Sequence, residues 1–339
     1  MPATLEDIAK RVGRSITTVS RALHDYDDVS PKTKAMVRQA ADEMGYTPSS
    51  TAQRLQKRRS DTIGMVLPTF GPRFSDPFFS ELIAGIGNQA AEMGYDLLVS
   101  TRPPGESELQ TYRLNIQSGR VDGFIIVRTR RVDERIKYLY ERNFPFVAFG
   151  RTEDIDDFPS VDEDSHQGMY LLSKHLLELG HTRIGCISGP PELNFSNQRL
   201  EGIKSALVEF GLEYDPTLCK QGDMTQSGGY IKAEELLSLD KPPTAIISCN
   251  DLMAFGAMSA AHKLGFIVGQ DISITGFDDI PMSEHSHPPL TTVNQPIYEI
   301  GEMVCEMLIR LILGQVLEQN QIILKPKLVV RQSTGEYKH

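Results

Sequence analysis

The sequence predicts an α/β protein: an N-terminal three-helix helix-turn-helix head and a hinge helix, followed by two doubly wound α/β subdomains. Three observations lead to this prediction. Apolar residues recur at helical spacing on both sides of Gly13, short apolar strands alternate with helices from Thr62 onward, and the two regions differ in charge. We expect a head over residues 1–46, a hinge helix or linker over 47–60 and a core over 61–339.

The stretch DIAKRVGRSITTVSRAL, residues 7–23, carries the signal for the helix-turn-helix. Its apolar side chains can give two short helices one shared core, and they are Ile8, Val12, Val19 and Leu23. Ala9 lets the helices approach each other, and Gly13 can adopt the turn between them. The stretch therefore predicts two packed helices.

The second of these helices is expected from Ile16 to about His24, with Ser15 as its N-cap. Its outward face carries short side chains and one arginine: Ile16, Thr17, Ser20 and Arg21. A helix that enters the major groove of DNA presents a surface of this kind. The head is therefore predicted to bind double-stranded DNA.

A third helix is expected from Lys32 to Met44, with Ser30 as its N-cap and Pro31 in its first turn. Five of its side chains should face the core of the head, namely Ala35, Val37, Ala40, Ala41 and Met44. Three helices of this size bury only a small core.

Residues 47–60 are basic and rich in serine and threonine, and they could form one short helix from Thr51 to Lys57. Two interpretations stay open. The segment is either a solvated linker or a hinge that folds on DNA and inserts Leu55 into a minor-groove step.

Charge is distributed unevenly along the chain, whose formal net charge is −10. Residues 1–60 contain 11 Lys/Arg and 7 Asp/Glu, although the whole chain contains 35 and 45. A basic head on an acidic body allows the head to bind the phosphates of DNA.

There is no apolar run long enough for a membrane span and no secretion signal, so we expect a cytoplasmic protein. The four cysteines are scattered and predict neither a zinc site nor disulfides.

From Thr62 the alternation of strands and helices predicts parallel sheets covered on both faces, which bind ligands at the carboxyl ends of their strands.

The stretch Gly85–Ala90 fits the nucleotide-binding pattern G-x-G-x-x-A. It lies inside a predicted helix rather than directly after a strand, so we interpret it as a site of helix packing. The sequence shows no phosphate loop, metal cluster or nucleophile motif. Neither an enzyme activity nor a cofactor is predicted.

Several motifs follow one another in a set order: TLEDIAKRVGRSITTVSRAL, AQRLQKRRSDTIG, HLLELGHTRIGCISGP with QRLEG, PTAIISCNDLMAFGAM, DISITGFDD and PPLTTVNQP. Together they resemble the lactose/galactose-repressor (LacI/GalR) family of bacterial transcription regulators. The resemblance implies a homodimer that reads a pseudo-palindromic operator, with a core like periplasmic sugar-binding proteins that binds an effector and dimerises. It also implies three crossings between the subdomains, which we place near Val161, near Thr291–Gln295 and near Leu324.

In the head, the resemblance assigns base-reading positions to Ile16, Thr17 and Arg21 and the minor-groove leucine to Leu55. Together with Ser15 and Ser20 these are the candidate DNA-contacting residues. Two positions depart from the family's pattern. Arg14 replaces a small apolar residue of the turn and could add a phosphate contact, and Gln56 stands where many members have alanine.

In the core, Asp278, Asn250 and Arg199 match the family's effector contacts, and a carboxylate with an arginine suits neighbouring hydroxyl groups. The alternative for Asp278 and Asn250 is a role in a helix N-cap or turn. Phe78 and Phe79 could face a sugar ring or a base, or pack in the core. Three arginines follow the second, third and fourth strands, namely Arg102, Arg128 and Arg151, of which Arg151 is the first choice.

Two further positions bear on the kind of effector. Leu193 and Phe195 stand where some purine-binding relatives carry an arginine and a threonine, and Met224 stands where relatives have an aromatic residue that stacks on the effector. Because this chain lacks that arginine, the comparison with purine-binding relatives favours a sugar over a purine as the effector.

These observations predict a sequence-specific DNA-binding regulator, a repressor whose operator affinity is controlled by a small sugar. The same architecture sensing a purine or nucleoside, or acting with a corepressor, stays open. An alternative from another functional class is a sugar-binding module that does not regulate transcription. The resemblance favours a dimer over a tetramer, because the heptad tail by which some members of the family form tetramers is not visible after Leu328, where the sequence is short and polar.

Overall fold

The computed structural model describes residues 3–46, 59–69 and 76–337. The chain divides into two compact units, Met1–Ser60 and Asp61–His339. The expected hinge helix, with Leu55, lies outside the described residues, and its formation stays a prediction.

The first unit contains α1 (Leu5–Val12), α2 (Ile16–Leu23) and α3 (Pro31–Glu43). Local chemistry fixes where the helices begin, because Ser15 Oγ accepts a hydrogen bond from the Thr18 N–H at 3.1 Å. Gly13 ends α1 in the left-handed conformation at φ 63°, as a tight turn requires. The predicted helix-turn-helix is confirmed.

The core of this unit is formed by the inward faces of the three helices and includes Ile8, Val19, Ala22, Val37, Ala40 and Ala41. The prediction that Ala35 faces this core is wrong, because the residue is exposed. Ala35 precedes Val37 by two positions, and residues two apart point to different sides of a helix.

The second unit is built from strands and helices that alternate along most of the chain. Its strands are β1 (Thr62–Pro68), β2 (Asp96–Arg102), β3 (Gly123–Ile126), β4 (Phe146–Phe149), β5 (Ser160–Glu163), β6 (Ile184–Ser188), β7 (Cys219–Gln221), β8 (Ala245–Ser248), β9 (Ser273–Thr275), β10 (Thr292–Asn294), β11 (Gln321–Leu324) and β12 (Lys327–Val329). Its helices are α4 (Pro77–Glu92), α5 (Glu106–Gln117), α6 (Glu134–Tyr140), α7 (Ser165–Glu178), α8 (Asn194–Glu209), α9 (Gln226–Leu237), α10 (Asp251–Lys263), α11 (Met282–His285) and α12 (Ile297–Ile312).

These strands form two parallel sheets and one small antiparallel pair. The first sheet has the order β11-β5-β4-β3-β1-β2, the second has the order β7-β6-β8-β9, and β10 pairs with β12. The chain leaves the first sheet after Glu163 and returns to it at β11. Two parallel sheets, each built from strands and helices in alternation, confirm the predicted α/β fold class.

Both faces of the first sheet are covered. Met65 of β1 belongs to one buried cluster and its neighbour Val66 to another, because successive side chains of a strand point to opposite faces. Helices α4 and α12 pack closely at Gly85, where a Cβ atom would overlap the carbonyl oxygen of Tyr298. The interpretation of the Gly85 motif as helix packing is therefore confirmed. None of the described helices is both long and apolar enough to cross a membrane.

Candidate functional site

The outward face of α2 and the loop after it form one shallow concave surface on the head. The residues that line it are Leu5, Ile16, Thr17, Ser20, Arg21 and Tyr26. Four of the predicted DNA-contacting residues therefore lie together, and Ile16 is exposed although it is apolar, with 49% of its surface accessible. Ser15 lies at the start of the same helix as its cap. Tyr26 was not predicted from the sequence.

In the core, residues at or after the carboxyl ends of strands from both sheets line one cavity. All nine predicted effector-binding residues line it: Phe78, Phe79, Arg128, Arg151, Phe195, Arg199, Met224, Asn250 and Asp278. Arg102, which follows β2, does not line it and instead donates to the Thr101 carbonyl oxygen.

Arg199 and Asp278 form the centre of the wall on the side of the second sheet. The Arg199 Nη2 atom lies 3.5 Å from Asp278 Oδ1, and Arg199 Nη1 donates to the Cys249 carbonyl oxygen at 2.5 Å. The guanidinium also lies over the Phe277 ring, 3.6 Å from its centroid. The guanidinium of Arg199 is thus held in one orientation.

The Asp278 carboxylate is positioned by its neighbours and by the backbone. Gln295 Nε2 donates to Asp278 Oδ1 at 2.7 Å. Burial raises the pKa of the Asp278 carboxyl well above its ordinary value, and the nearby charge of Arg199 opposes that rise. Asp278 has φ 119°, and Arg128 and Met224 on the same cavity also have positive φ. Strained backbone of this kind is concentrated at functional sites.

Asn250 has the helix-cap role that the sequence left open. Its Oδ1 atom accepts from the Met253 N–H at 3.0 Å, and its Nδ2 atom donates to the Met224 carbonyl oxygen at 3.2 Å. The side chain therefore caps α10 and fixes the loop that carries Met224, while it also lines the cavity.

The opposite wall contains two further ion pairs. Arg128 Nη2 lies 2.9 Å from Asp76 Oδ2, and Arg151 Nε lies 2.7 Å from Asp162 Oδ2. Burial raises the pKa of the Asp76 and Asp162 carboxyls, and the arginine partners oppose this effect. Each of the three described arginines that line the cavity is thus paired with an aspartate.

Phenylalanine rings form the apolar part of this wall. Phe78 and Phe149 are nearly parallel, with an interplanar angle of 12° and centroids 6.0 Å apart. Phe79 is fully buried and meets the Phe78 ring edge to face, and the Arg128 guanidinium lies 4.7 Å from the Phe79 centroid. Phe79 therefore has the packing role that the sequence left open, in addition to touching the cavity.

A buried cluster of charged residues stabilises the loop after β3, which contains Arg128. Arg135 is 1% exposed and pairs with Asp133 at 2.7 Å and with Glu108 at 3.0 Å. Its guanidinium also donates to the carbonyl oxygens of Val127 and Arg128, at 3.2 and 3.0 Å. The cluster fixes the backbone at the end of β3, and with it the start of the Arg128 side chain.

The two walls contact each other directly at one edge of the cavity. The Asn194 N–H donates to the Thr129 carbonyl oxygen at 3.0 Å, and Asn194 Nδ2 donates to the Arg151 carbonyl oxygen at 2.9 Å. These bonds join two loops of the first sheet, those after β3 and β4, to the start of α8. A ligand in the cavity would therefore contact both walls beside an existing connection between them.

Several polar residues of the cavity were not predicted from the sequence, namely Asp76, Thr129, Asp162, Ser165, Asn194 and Gln295. Asp76 is the N-cap of α4, and Asp162 lies inside β5, beside the crossing expected near Val161, so neither residue stood at the end of a predicted strand. Their pairing with arginines was not available, because it joins residues that are far apart in the sequence.

Glu163 at the end of β5 is a buried carboxyl next to the cavity residue Asp162. It is 1% exposed, and neither of its oxygens has a hydrogen-bond partner among the described residues. Burial raises the pKa of Glu163 to about 8 from 4.5. At neutral pH the folded protein therefore holds this group mainly in its protonated form.

We expect the variant Glu163→Gln to be more stable than the wild type by an amount that grows with pH. The unfolded chain releases the Glu163 proton near pH 4.5, whereas the folded protein keeps it to about pH 8. The folded state therefore loses stability as pH rises through this interval, by at most about 1.4 kcal/mol per pH unit. Urea unfolding at about pH 5, 6.5 and 8 measures the difference, and a difference that stays constant over this range contradicts the assignment.

Two family models match the chain. Residues 4–49 match the model of bacterial regulatory proteins of the lacI family, and residues 173–334 match a periplasmic binding protein-like domain. The helix-turn-helix head and this core define the class of the protein, a DNA-binding transcriptional regulator with the fold of a small-molecule binding protein.

Relatives and solved structures match this chain along nearly its whole length. The HTH-type transcriptional regulator AglR of Rhizobium meliloti is 37% identical and covers 99% of this chain and 95% of its own length. The lac repressor dimer bound to operator and the anti-inducer ONPF has a TM-score of 0.86 at 30% identity, covering 98% of this chain and 99% of its own. The complex of the regulator CelR with cellobiose has a TM-score of 0.75 at 32% identity, covering 98% and 99%. The chain belongs to the LacI family, whose members are regulators and not enzymes.

Proposed function

We propose that this regulator is a cytoplasmic, homodimeric repressor whose affinity for a pseudo-palindromic operator is controlled by a small uncharged sugar bound in the core cavity. The observation that carries the choice of effector is the pairing of charges in the cavity wall. Among the residues that the structure describes, the charged ones in the wall are three arginines and three aspartates, each arginine with its own aspartate: Asp76, Arg128, Arg151, Asp162, Arg199 and Asp278.

This arrangement favours a neutral ligand with many hydroxyl groups. A phosphate or carboxylate needs a cation that is available to it, and the described arginines of the cavity already share their charge with carboxylates. Carboxylate and guanidinium groups side by side offer acceptors and donors to neighbouring hydroxyls. The parallel rings of Phe78 and Phe149 offer an apolar surface for the face of a sugar ring.

For the head, we propose that α2 enters the major groove and that Ile16, Thr17 and Arg21 contact base edges. Their common surface and the exposure of Ile16 support this role, since an apolar side chain can contact a thymine methyl group. Leu55 as a minor-groove wedge remains a prediction from the sequence alone.

A thermal-shift panel on the full-length protein tests the proposed effector class. The panel contains neutral mono- and disaccharides, their phosphate esters, nucleosides and nucleobases, with glycerol as a control for general solvent effects. A ligand at about a hundred times its Kd adds roughly 2.7 kcal/mol and raises the melting temperature by several degrees. We expect a neutral sugar to produce this shift. A shift only with a phosphate ester or a nucleoside contradicts the sugar proposal and leaves the DNA-binding class intact.

A further inference from the structure

Asp28, in the loop between α2 and α3, holds the Arg21 side chain in a fixed geometry. Arg21 Nε donates to Asp28 Oδ1 at 3.1 Å, and Arg21 Nη2 lies 2.8 Å from Asp28 Oδ2. The two contacts are parallel and use both carboxylate oxygens, which is the fork geometry of strong arginine–carboxylate pairs. They occupy one edge of the guanidinium, formed by Nε and Nη2.

The other edge of the guanidinium keeps two N–H donors, one on each Nη atom. A bidentate contact with guanine needs two parallel donors of this kind, directed at O6 and N7. The Arg21 side chain is 45% exposed in the ion pair, so its pairing with Asp28 leaves part of it accessible. Asp28 and a guanine can therefore bind the same guanidinium on different edges.

The position of Asp28 is itself well defined, because its loop is anchored on both sides. Asp25 pairs with Lys34 and Arg38 of α3, at 2.9 and 3.1 Å, and Val29 is buried in the core of the head. Tyr26 lies between these anchors, and the Arg21 guanidinium lies 5.1 Å from the centroid of its ring. The loop thus supplies both a carboxylate and an aromatic face to one arginine.

We propose that Asp28 is a specificity-determining residue that positions Arg21 for guanine and disfavours its contact with phosphate. A guanidinium that is free to rotate can neutralise any phosphate, which gives affinity without sequence information. Asp28 repels phosphates and directs the remaining donors outward. This inference rests on the proposed role of α2 as the recognition helix.

The test uses the full-length protein and a randomised duplex DNA library. Selection with the wild type gives the preferred half-site, and fluorescence anisotropy then measures affinity for that duplex and for duplexes with each half-site base replaced. Arg21→Ala identifies the guanine position that depends on Arg21. We expect Asp28→Asn to lower the preference for guanine at that position by about five- to tenfold and Asp28→Glu to retain most of it.

Asp27→Asn is the matched control, because Asp27 lies in the same loop, is exposed and makes no side-chain hydrogen bond or ion pair with the described residues. Both asparagine variants remove one negative charge, so both should bind non-specific DNA somewhat more tightly, whereas Asp27→Asn should keep the guanine preference. An unchanged preference in Asp28→Asn overturns the role of Asp28 while the proposed function stands. A guanine preference that survives Arg21→Ala overturns the recognition role proposed for Arg21 and the inference with it.

Discussion

The variant Asp278→Asn is expected to bind operator DNA like the wild type and to lose its response to the sugar. The substitution keeps an acceptor for Gln295 Nε2 but leaves the buried Arg199 guanidinium without its carboxylate. An amide also accepts fewer hydrogen bonds from hydroxyl groups than a carboxylate does. Because hydrogen bonds to charged groups contribute about 1.5–3 kcal/mol, the affinity for the sugar should fall by roughly 10- to 100-fold or more.

Operator binding measured by fluorescence anisotropy, at increasing sugar concentrations, detects this loss. Asp279→Asn is the matched control, since Asp279 is the next residue but pairs with Arg331 at 2.8 Å and does not line the cavity. The control variant should respond at the sugar concentration that affects the wild type. A normal response of Asp278→Asn would place the effector elsewhere.

The second large effect is expected for Arg135→Met, which should lower the free energy of unfolding by about 3–5 kcal/mol. The substitution removes the cation that pairs with Asp133 and Glu108, both of which are fully buried. Glu108 keeps its second ion pair, with Arg130 at 2.6 Å, whereas Asp133 loses its ion pair. It also removes the donors to the carbonyl oxygens of Val127 and Arg128. Uncompensated buried charge is far more costly than the loss of an exposed ion pair.

Arg131→Met provides the comparison, because Arg131 pairs with Glu153 on the surface, where the two side chains are 51% and 46% exposed. This variant should lower the free energy of unfolding far less than Arg135→Met does, because solvent screens an exposed ion pair. Chemical denaturation followed by circular dichroism measures both variants. Similar losses for the two would show that the buried cluster contributes no more than a surface pair.

Local sequence signals predicted the head and most of the core elements. Ser15 and Gly13 act through their nearest neighbours, so their roles can be inferred without knowledge of the fold. The strand ends of a parallel sheet meet at one edge, which is why candidates as distant as Phe78 and Asp278 line one cavity. Strands of three residues, such as β7 and β10, are too short to show a periodic pattern.

Long-range pairing explains what the sequence could not predict. Asp76 and Arg128 are 52 residues apart, and their ion pair exists only because the fold brings the two loops together. Arg135 is a charged residue on a short helix, a pattern typical of an exposed position, yet the structure buries it among carboxylates. The charge balance of the cavity, which supports a neutral effector, therefore emerges only from the three-dimensional structure.

The most direct test of the account is the affinity of the full-length wild-type protein for its selected operator, with and without the neutral sugar that raises its melting temperature. Coupling between two sites of about 1–3 kcal/mol corresponds to a 5- to 150-fold change in affinity. We expect a change of this size at saturating sugar, and we expect it to be absent in Asp278→Asn. An operator affinity that is the same with and without the bound sugar would contradict the claim that this cavity controls DNA binding.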